Sequence, residues 1–308
     1  MFGANIFVDG STNLARKLKV SPLIIGLTIV ACGTSAPELI VSSLGAYQGS
    51  SEIALSNITG SNTVNLLGIL GICSLIAPLV VKRKIIYRDF LVSTIATLLL
   101  FLLTVDLSML FTGATLPQDS TIVGVISRGL GIFLILAYVI YIIFLIKRDK
   151  DAKEDFKIEE DVPIFKTRKC VIYIVGGLIM IILGGEAVVS CAESIARMAG
   201  ISETFIAYTI VAIGTSLPEL VTSIVATKKG QLEIAIGNVI GSNIFNLLFI
   251  LGVSAIIRPI EINLTSGYDF IILIAVTIIS AIFGLTGGKI KRLEGLAMLG
   301  IYALITVF

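Results

Sequence analysis

The chain is expected to fold as an all-α integral membrane protein, with ten transmembrane helices arranged as two inverted five-helix repeats. Three observations predict this. Of its 308 residues 56% are hydrophobic and 14% charged, with a mean hydropathy of +1.02. A soluble domain of this size cannot hide so much apolar surface, and apolar runs of about 18 or more residues recur along the chain. The sequence also overlays on itself without gaps at a shift of 181 positions: between Val20 and Leu79 about 29 of 60 positions are identical. Finally, the runs divide five to each half, and an odd number per repeat sends the second half into the bilayer from the opposite side.

The spans read, in order, 1–18, 22–46, 52–78, 87–108, 121–146, 170–197, 203–227, 232–257, 268–286 and 291–308. The first repeat is 1–146 with its motif region at 26–79; the second is 170–308 with its motif region at 207–260. The first span is short. Gly3 matches Gly184 and Ala15 matches Ala196, but the apolar run from Cys170 to Leu183 has no counterpart, so the first helix is expected to be truncated at its N-terminus by about 15 residues. A natively short helix is the alternative. The start of the chain lacks the basic stretch and apolar core of a signal peptide.

The second and seventh spans each carry a break. Gly33-Thr34-Ser35-Ala36-Pro37-Glu38 recurs as Gly214-Thr215-Ser216-Leu217-Pro218-Glu219, inside apolar surroundings. Each phrase puts a carboxylate and a proline at mid-membrane depth, where both are costly and where a charge is a functional-site hypothesis by default. Proline has no N–H and clashes with the carbonyl four residues back, so carbonyls near Ala31–Thr34 and from Ala212 onward are expected to lose their donors. Backbone freed in this way is tolerated in a membrane where it lines a site. Thr34 and Glu38 are four apart and share a helix face, as do Thr215 and Glu219.

The third and eighth spans add amides and hydroxyls. Asn57, Ser61 and Asn65 form a drifting stripe that Asn238, Ser242 and Asn246 repeat, with Gly60 and Gly241 allowing close approach. Ser35 and Ser216 complete the set. The inventory is all oxygen with two formal negative charges, which suits a hard cation: Ca²⁺ takes six to eight oxygens, and Na⁺ accepts the same donors. Two carboxylates balance one Ca²⁺. With the site empty they face each other in low dielectric, so reorientation is expected to require a bound ion, giving exchange rather than leak.

Other features read as structure. There is no histidine, and Cys32, Cys73, Cys170 and Cys191 show no zinc or redox spacing; they are small core residues, with Cys32 a candidate reactive thiol by its place beside the first motif. No cofactor is expected. Glu52 and Glu233 sit at span ends. Asp9, Glu186 and Glu193 lack acidic counterparts and read as packing or snorkelling residues; Asp89, Asp106 and Asp269 read as loop charges. The sequon Asn57-Ile58-Thr59 falls inside a span and is discounted. About 20 of the 23 Lys and Arg residues lie on one side, including those of the solvated linker 147–169. That side is cytoplasmic by the positive-inside rule, which puts both termini outside.

The phrases GTSAPE…NITGSNTVN and GTSLPE…NVIGSNIFN resemble the paired α-repeats of the calcium/cation antiporter superfamily, the sodium/calcium exchangers, over essentially the whole chain. The chain looks most like the prokaryotic exchangers, which lack a large regulatory domain, so a plasma-membrane location is implied. The resemblance implies Glu38 and Glu219 as central ligands shared by Ca²⁺ and Na⁺. It implies Thr34 and Thr215 assisting, Ala31 and Ala212 offering carbonyls, and Ser35, Ser216, Ser61 and Ser242 serving flanking Na⁺ positions. Asn65 and Asn246 would line the middle; well-studied exchangers often carry Asp at the place of Asn246, so this chain has one carboxylate fewer. Exchange of Ca²⁺ for Na⁺ by alternating access is the first reading. A H⁺-coupled or K⁺-dependent antiporter comes next, then a cation channel, whose charges usually come in rings from several subunits. An intramembrane enzyme gains nothing from an inverted duplication. Partners are inorganic cations and lipid, with no nucleic acid and no obligate protein.

Overall fold

The computed structural model describes residues 1–80, 86–112, 121–151, 165–199, 212–285 and 288–307. The fold is helical. In chain order the helices are α1 (Phe2–Leu18), α2 (Pro22–Thr34), α3 (Ala36–Gln48), α4 (Ser51–Ile76), α5 (Leu91–Thr104), α6 (Leu107–Thr112), α7 (Arg128–Asp151) and α8 (Thr167–Met198). They continue with α9 (Ala212–Thr215), α10 (Leu217–Lys228), α11 (Leu232–Ile257), α12 (Leu264–Leu285) and α13 (Arg292–Val307). Five of them are long and apolar enough to cross a membrane, and α2 with α3 makes a sixth such unit bent by 49°. The most apolar stretches of α4 and α11 are each 78% buried against 11% for α8, so the two amide-bearing helices form the centre and α8 turns most of its surface outward. Exposed Ile140, Leu183 and Val188 are what a lipid-facing surface requires.

The bend between α2 and α3 falls at Ser35, with φ −81° and ψ 14°, and Pro37 lies in the first turn of α3, where its missing N–H costs least. Ser216 has nearly the same dihedrals, φ −86° and ψ 4°, ahead of Pro218. Wide turns of π-helix interrupt α2 at Gly26–Val30, α4 at Val64–Ile69 and α11 at Phe245–Ile250. Such turns are rare and collect at functional sites; here the last two carry Asn65 and Asn246.

Small residues let the helices touch. A Cβ added at Gly241 would lie 2.6 Å from the carbonyl oxygen of Leu27, so α11 meets α2 backbone to backbone. At Gly177 an added Cβ would lie 2.7 Å from the oxygen of Gly3, which seats α1 on α8.

Several expectations are corrected. The fold is not wholly α: β1 (Leu79–Val80) pairs antiparallel with β4 (Lys289–Ile290), and β2 (Ile122–Ile126) with β3 (Ile260–Asn263). The fifth span, read from 121, therefore begins as a strand of β-branched residues, and its helix starts at Arg128. Helices α7 and α8 each run into the expected linker 147–169, of which 152–164 lie outside the described residues, as do 203–211 of the seventh span. Asp89 is not a loop charge: it is fully buried, held by Arg88 Nε and Nη2 at 2.7 and 2.8 Å and by the Tyr141 hydroxyl at 3.2 Å. Asp269 lies within α12. Asp106 is the loop charge expected, accepting the N–H groups of Ser108 and Met109 at the start of α6. Asp9 is neither packed nor snorkelling alone: it binds the Lys229 ammonium at 2.6 Å.

Candidate functional site

Four segments converge at the centre: the α2/α3 break, the α9/α10 break, and the middles of α4 and α11. Pro37 deprives the Gly33 carbonyl of its i+4 donor. The break is narrower than expected, because Ala31 keeps its bond to the Ser35 N–H at 3.0 Å. In the second break the Ser216 N–H bonds Ile213 at 3.2 Å instead. Glu38 and Glu219 follow the prolines in the first turns of α3 and α10, where the helix dipole favours negative charge.

Each break reaches across to the other. The Ser35 hydroxyl donates to Glu219 Oε1 at 2.7 Å, and the Ser216 hydroxyl donates to Glu38 Oε1 at 3.4 Å. The Ser242 hydroxyl also lies 3.4 Å from Glu219 Oε1 and 3.5 Å from the Ala31 carbonyl. Thr34 donates to Asn238 Oδ1 at 2.9 Å; Thr215 donates to Asn57 Oδ1 at 3.4 Å and lies 3.5 Å from Ser61 Oγ. Exchanging every residue for its match 181 positions away returns the Ser–Glu and Thr–Asn bonds, so the network is related to itself by an approximate two-fold.

Four asparagines close the middle of α4 against α11. Asn62 and Asn243 donate to each other's backbone carbonyls at 3.3 Å. A backbone carbonyl can only accept, so these bonds fix which way each amide faces and leave the side-chain oxygens to accept. Asn65 donates to Asn243 Oδ1 and Asn246 to Asn62 Oδ1, both at 3.0 Å. Asn65 and Asn246 must therefore turn Nδ2 toward the ring and Oδ1 away from it. Carboxylates at these two positions would have no hydrogen to give.

The outcome is a set of stranded acceptors. Glu38 Oε2, Glu219 Oε2, Asn65 Oδ1 and Asn246 Oδ1 are all buried without a hydrogen-bond partner; among the described residues the other such side-chain atoms are hydroxyl oxygens. An unsatisfied buried polar atom costs about 1–3 kcal/mol, and a charged one more. Two of the four are on carboxylates that are at most 1% exposed, and the two amides lie one turn beyond Ser61 and Ser242 on α4 and α11, so the set could satisfy itself on a cation. The donors are carboxylate, amide and hydroxyl oxygens, the chemistry of Ca²⁺ or Na⁺ and not of zinc or copper.

Thr34, Ser35, Glu38, Ser61, Asn65, Ser216, Glu219, Ser242 and Asn246 are thus brought together in the interior, each 2% exposed or less. Thr215 joins them half-buried, and Ala31 through its carbonyl. Ala212 opens α9, and its side chain lies outside what is described. Sequence reasoning gave no role to Asn62 and Asn243, and saw Asn57 and Asn238 only as part of a stripe. The signal was present: all four recur at the same offset as the motifs. Asn57 Nδ2 is taken up by Ser42 and the Glu38 carbonyl, which leaves the sequon no free amide. The four cysteines are free thiols, and Cys32 Sγ lies 3.0 Å from the Tyr138 hydroxyl.

Known proteins resemble the chain over nearly its whole length. The family model described as sodium/calcium exchanger protein matches residues 1–147 and 169–308. CaxA of Alkalimonas amylolytica is 35% identical over 300 residues, covering 96% of this chain and 89% of that protein. The sodium/calcium exchanger MaX1 of Methanosarcina acetivorans is 30% identical over 322 residues, covering 97% and 92%. The sodium-calcium exchanger NCX_Mj, in the structure soaked with 10 mM Na⁺ and zero Ca²⁺, superposes with a TM-score of 0.82 at 27% identity, covering 99% of this chain and 93% of that one.

Proposed function

Since the chain belongs to the sodium/calcium exchanger family, a family of membrane transporters and not enzymes, we propose that it exchanges Ca²⁺ for Na⁺ by alternating access, with the ions held between Glu38 and Glu219. The observation that carries this reading is the group of four stranded oxygens on Glu38, Glu219, Asn65 and Asn246. Two carboxylates neutralise one Ca²⁺ or two Na⁺. The remaining Ca²⁺ ligands come from the Thr34 and Thr215 region and the two amide oxygens; Ser35, Ser61, Ser216 and Ser242 flank the centre and suit Na⁺, with the Ala31 and Ala212 carbonyls beside them. Exchange of three Na⁺ for one Ca²⁺ moves one net charge, worth about 2.3 kcal/mol per 100 mV.

The same reading makes 1–146 and 170–308 two inverted five-helix repeats in a prokaryotic plasma membrane, with the basic linker 147–169 cytoplasmic and both termini outside. The two-fold relation between the Ser–Glu and Thr–Asn bonds of the halves supports it. An empty site leaves two buried carboxylates uncompensated, which disfavours reorientation without an ion. The test is flux of radiolabelled Ca²⁺ in proteoliposomes under separate gradients of Na⁺, Na⁺ with K⁺, and H⁺. Saturable uptake driven by Na⁺ alone is expected. Uptake driven only by the pH gradient would replace Na⁺ by H⁺, and uptake indifferent to any counter-cation would overturn antiport.

A further inference from the structure

We propose that Asn57 and Asn238 are positioning residues of the ion site, each fixing the threonine hydroxyl of one motif by anchoring it to the glutamate-bearing helix of the other. The inference rests on the exchange reading above.

Asn238 is fully buried on α11. Its amide nitrogen donates to two oxygens of the second half, the Glu219 carbonyl at 3.3 Å and Ser223 Oγ at 3.0 Å. With both hydrogens spent there, its Oδ1 has to face Thr34, whose hydroxyl donates to it at 2.9 Å. A hydroxyl that coordinates a cation does so through oxygen lone pairs, so its hydrogen must point elsewhere. Asn238 Oδ1 is the acceptor that takes that hydrogen. Two other acceptors are in reach, the Ala31 carbonyl in the same helix, longer at 3.3 Å, and the Glu219 carboxylate; Asn238 Oδ1 makes the short contact. Asn57 repeats the arrangement: Nδ2 to Ser42 Oγ at 2.8 Å and to the Glu38 carbonyl at 3.3 Å, Oδ1 to the Thr215 hydroxyl at 3.4 Å. The side chain must be an amide. Alanine drops both connections, and aspartate keeps the acceptor but loses the donors and adds a buried charge.

Neither asparagine contributes an orphaned oxygen, so neither is expected to be an ion ligand. Each acts through the threonine. Because Asn238 binds its threonine at 2.9 Å and Asn57 at 3.4 Å, the first is the stronger brace.

The experiment uses the full chain, purified and reconstituted, with the apparent KM and Vmax of Na⁺-driven Ca²⁺ uptake read beside Ca²⁺-dependent thermal stabilisation in detergent. Asn238→Ala is expected to raise the Ca²⁺ KM about tenfold, and Asn57→Ala about threefold, the loss of one good and one weak hydrogen bond. Thr34→Val should match Asn238→Ala, Thr34→Ser should restore the KM, and Asn238→Ala with Thr34→Val should cost no more than either alone. A purely structural role predicts less folded protein with an unchanged KM, and additive effects; either result overturns the proposal. If Asn238→Ala does not fold, Thr34→Val against Thr34→Ser decides, since an equal KM in the two removes the hydroxyl from the argument. Failure of the exchange reading looks different: the unmodified protein then shows neither Ca²⁺ stabilisation nor Na⁺-driven uptake.

Discussion

Ser35 and Ser216 occupy the same place in the same six-residue phrase, yet one holds the opposing glutamate at 2.7 Å and the other at 3.4 Å. Thr34 and Thr215 differ in the same sense, at 2.9 and 3.4 Å from their asparagines, and Thr34 is fully buried where Thr215 is not. Glu219 accepts from both Ser35 and Ser242. The first motif is therefore clamped onto the second half, while the second motif sits looser against the first. Bonds of 3.4 Å are at the weak edge of the range. Identical residues can hold two different degrees of closure because the difference lies in how the broken helices approach, not in what they offer. On the proposed exchange mechanism, trading the tight half for the loose one would yield the opposite-facing arrangement at little cost.

The largest expected effect tests whether the asymmetry reaches the charges. Glu38→Gln and Glu219→Gln should each abolish Na⁺-driven Ca²⁺ uptake, by about 100-fold or more, because each leaves a divalent ion facing one buried carboxylate. Equal losses would mean that the ion sits between the halves despite their unequal bonding. Normal transport by either variant would remove that glutamate from the site, and a large loss in only one would place the ion on a single half.

Next in size comes the serine pair. Removing Ser35 takes away a short charge-assisted bond, of the kind worth about 1.5–3 kcal/mol, so Ser35→Ala should weaken Ca²⁺-dependent stabilisation about tenfold in apparent affinity. Ser216→Ala should cost about threefold or less. Matched losses measured by Ca²⁺ titration of the thermal unfolding temperature would show that the two half-sites are equivalent in solution.

The broken helices and the buried carboxylates were legible in the sequence because Pro37 and Pro218 act locally and because charge in an apolar run announces itself. The asparagine ring was not. Asn62 and Asn243 meet only when α4 crosses α11, and no spacing within one helix reveals which side-chain oxygen has been left over. The ribbon of β2 and β3 escaped for a similar reason: Ile122–Ile126 is apolar like the helix it precedes, and periodicity cannot separate a short buried strand from a helix end. Asp89 looked like a loop charge because its partner Tyr141 is 52 residues away.

The smallest effect concerns a charged tie between elements that has no counterpart at the repeat offset. Lys229, just after the helix of the second motif, binds Asp9 at 2.6 Å and the Asn5 carbonyl at 3.1 Å on α1; the matching positions hold Gln48 and Ser190. Both side chains are partly exposed, 28% and 45%, so the pair is screened and worth no more than about 1 kcal/mol. Its interest is its placement, since it ties the looser motif's helix to α1, and among the described residues no ion pair ties the tighter motif's helix to α8. Asp9→Asn should therefore leave Vmax within about twofold and shift the ratio of Ca²⁺ KM values measured at the two membrane faces by about twofold to threefold, a shift of well under 1 kcal/mol. Lys229→Met should shift that ratio in the same direction, and the double variant should shift it no further. Opposite shifts from the two single variants would mean that the charges act separately, and the looseness of the second motif would then need another cause than its link to α1.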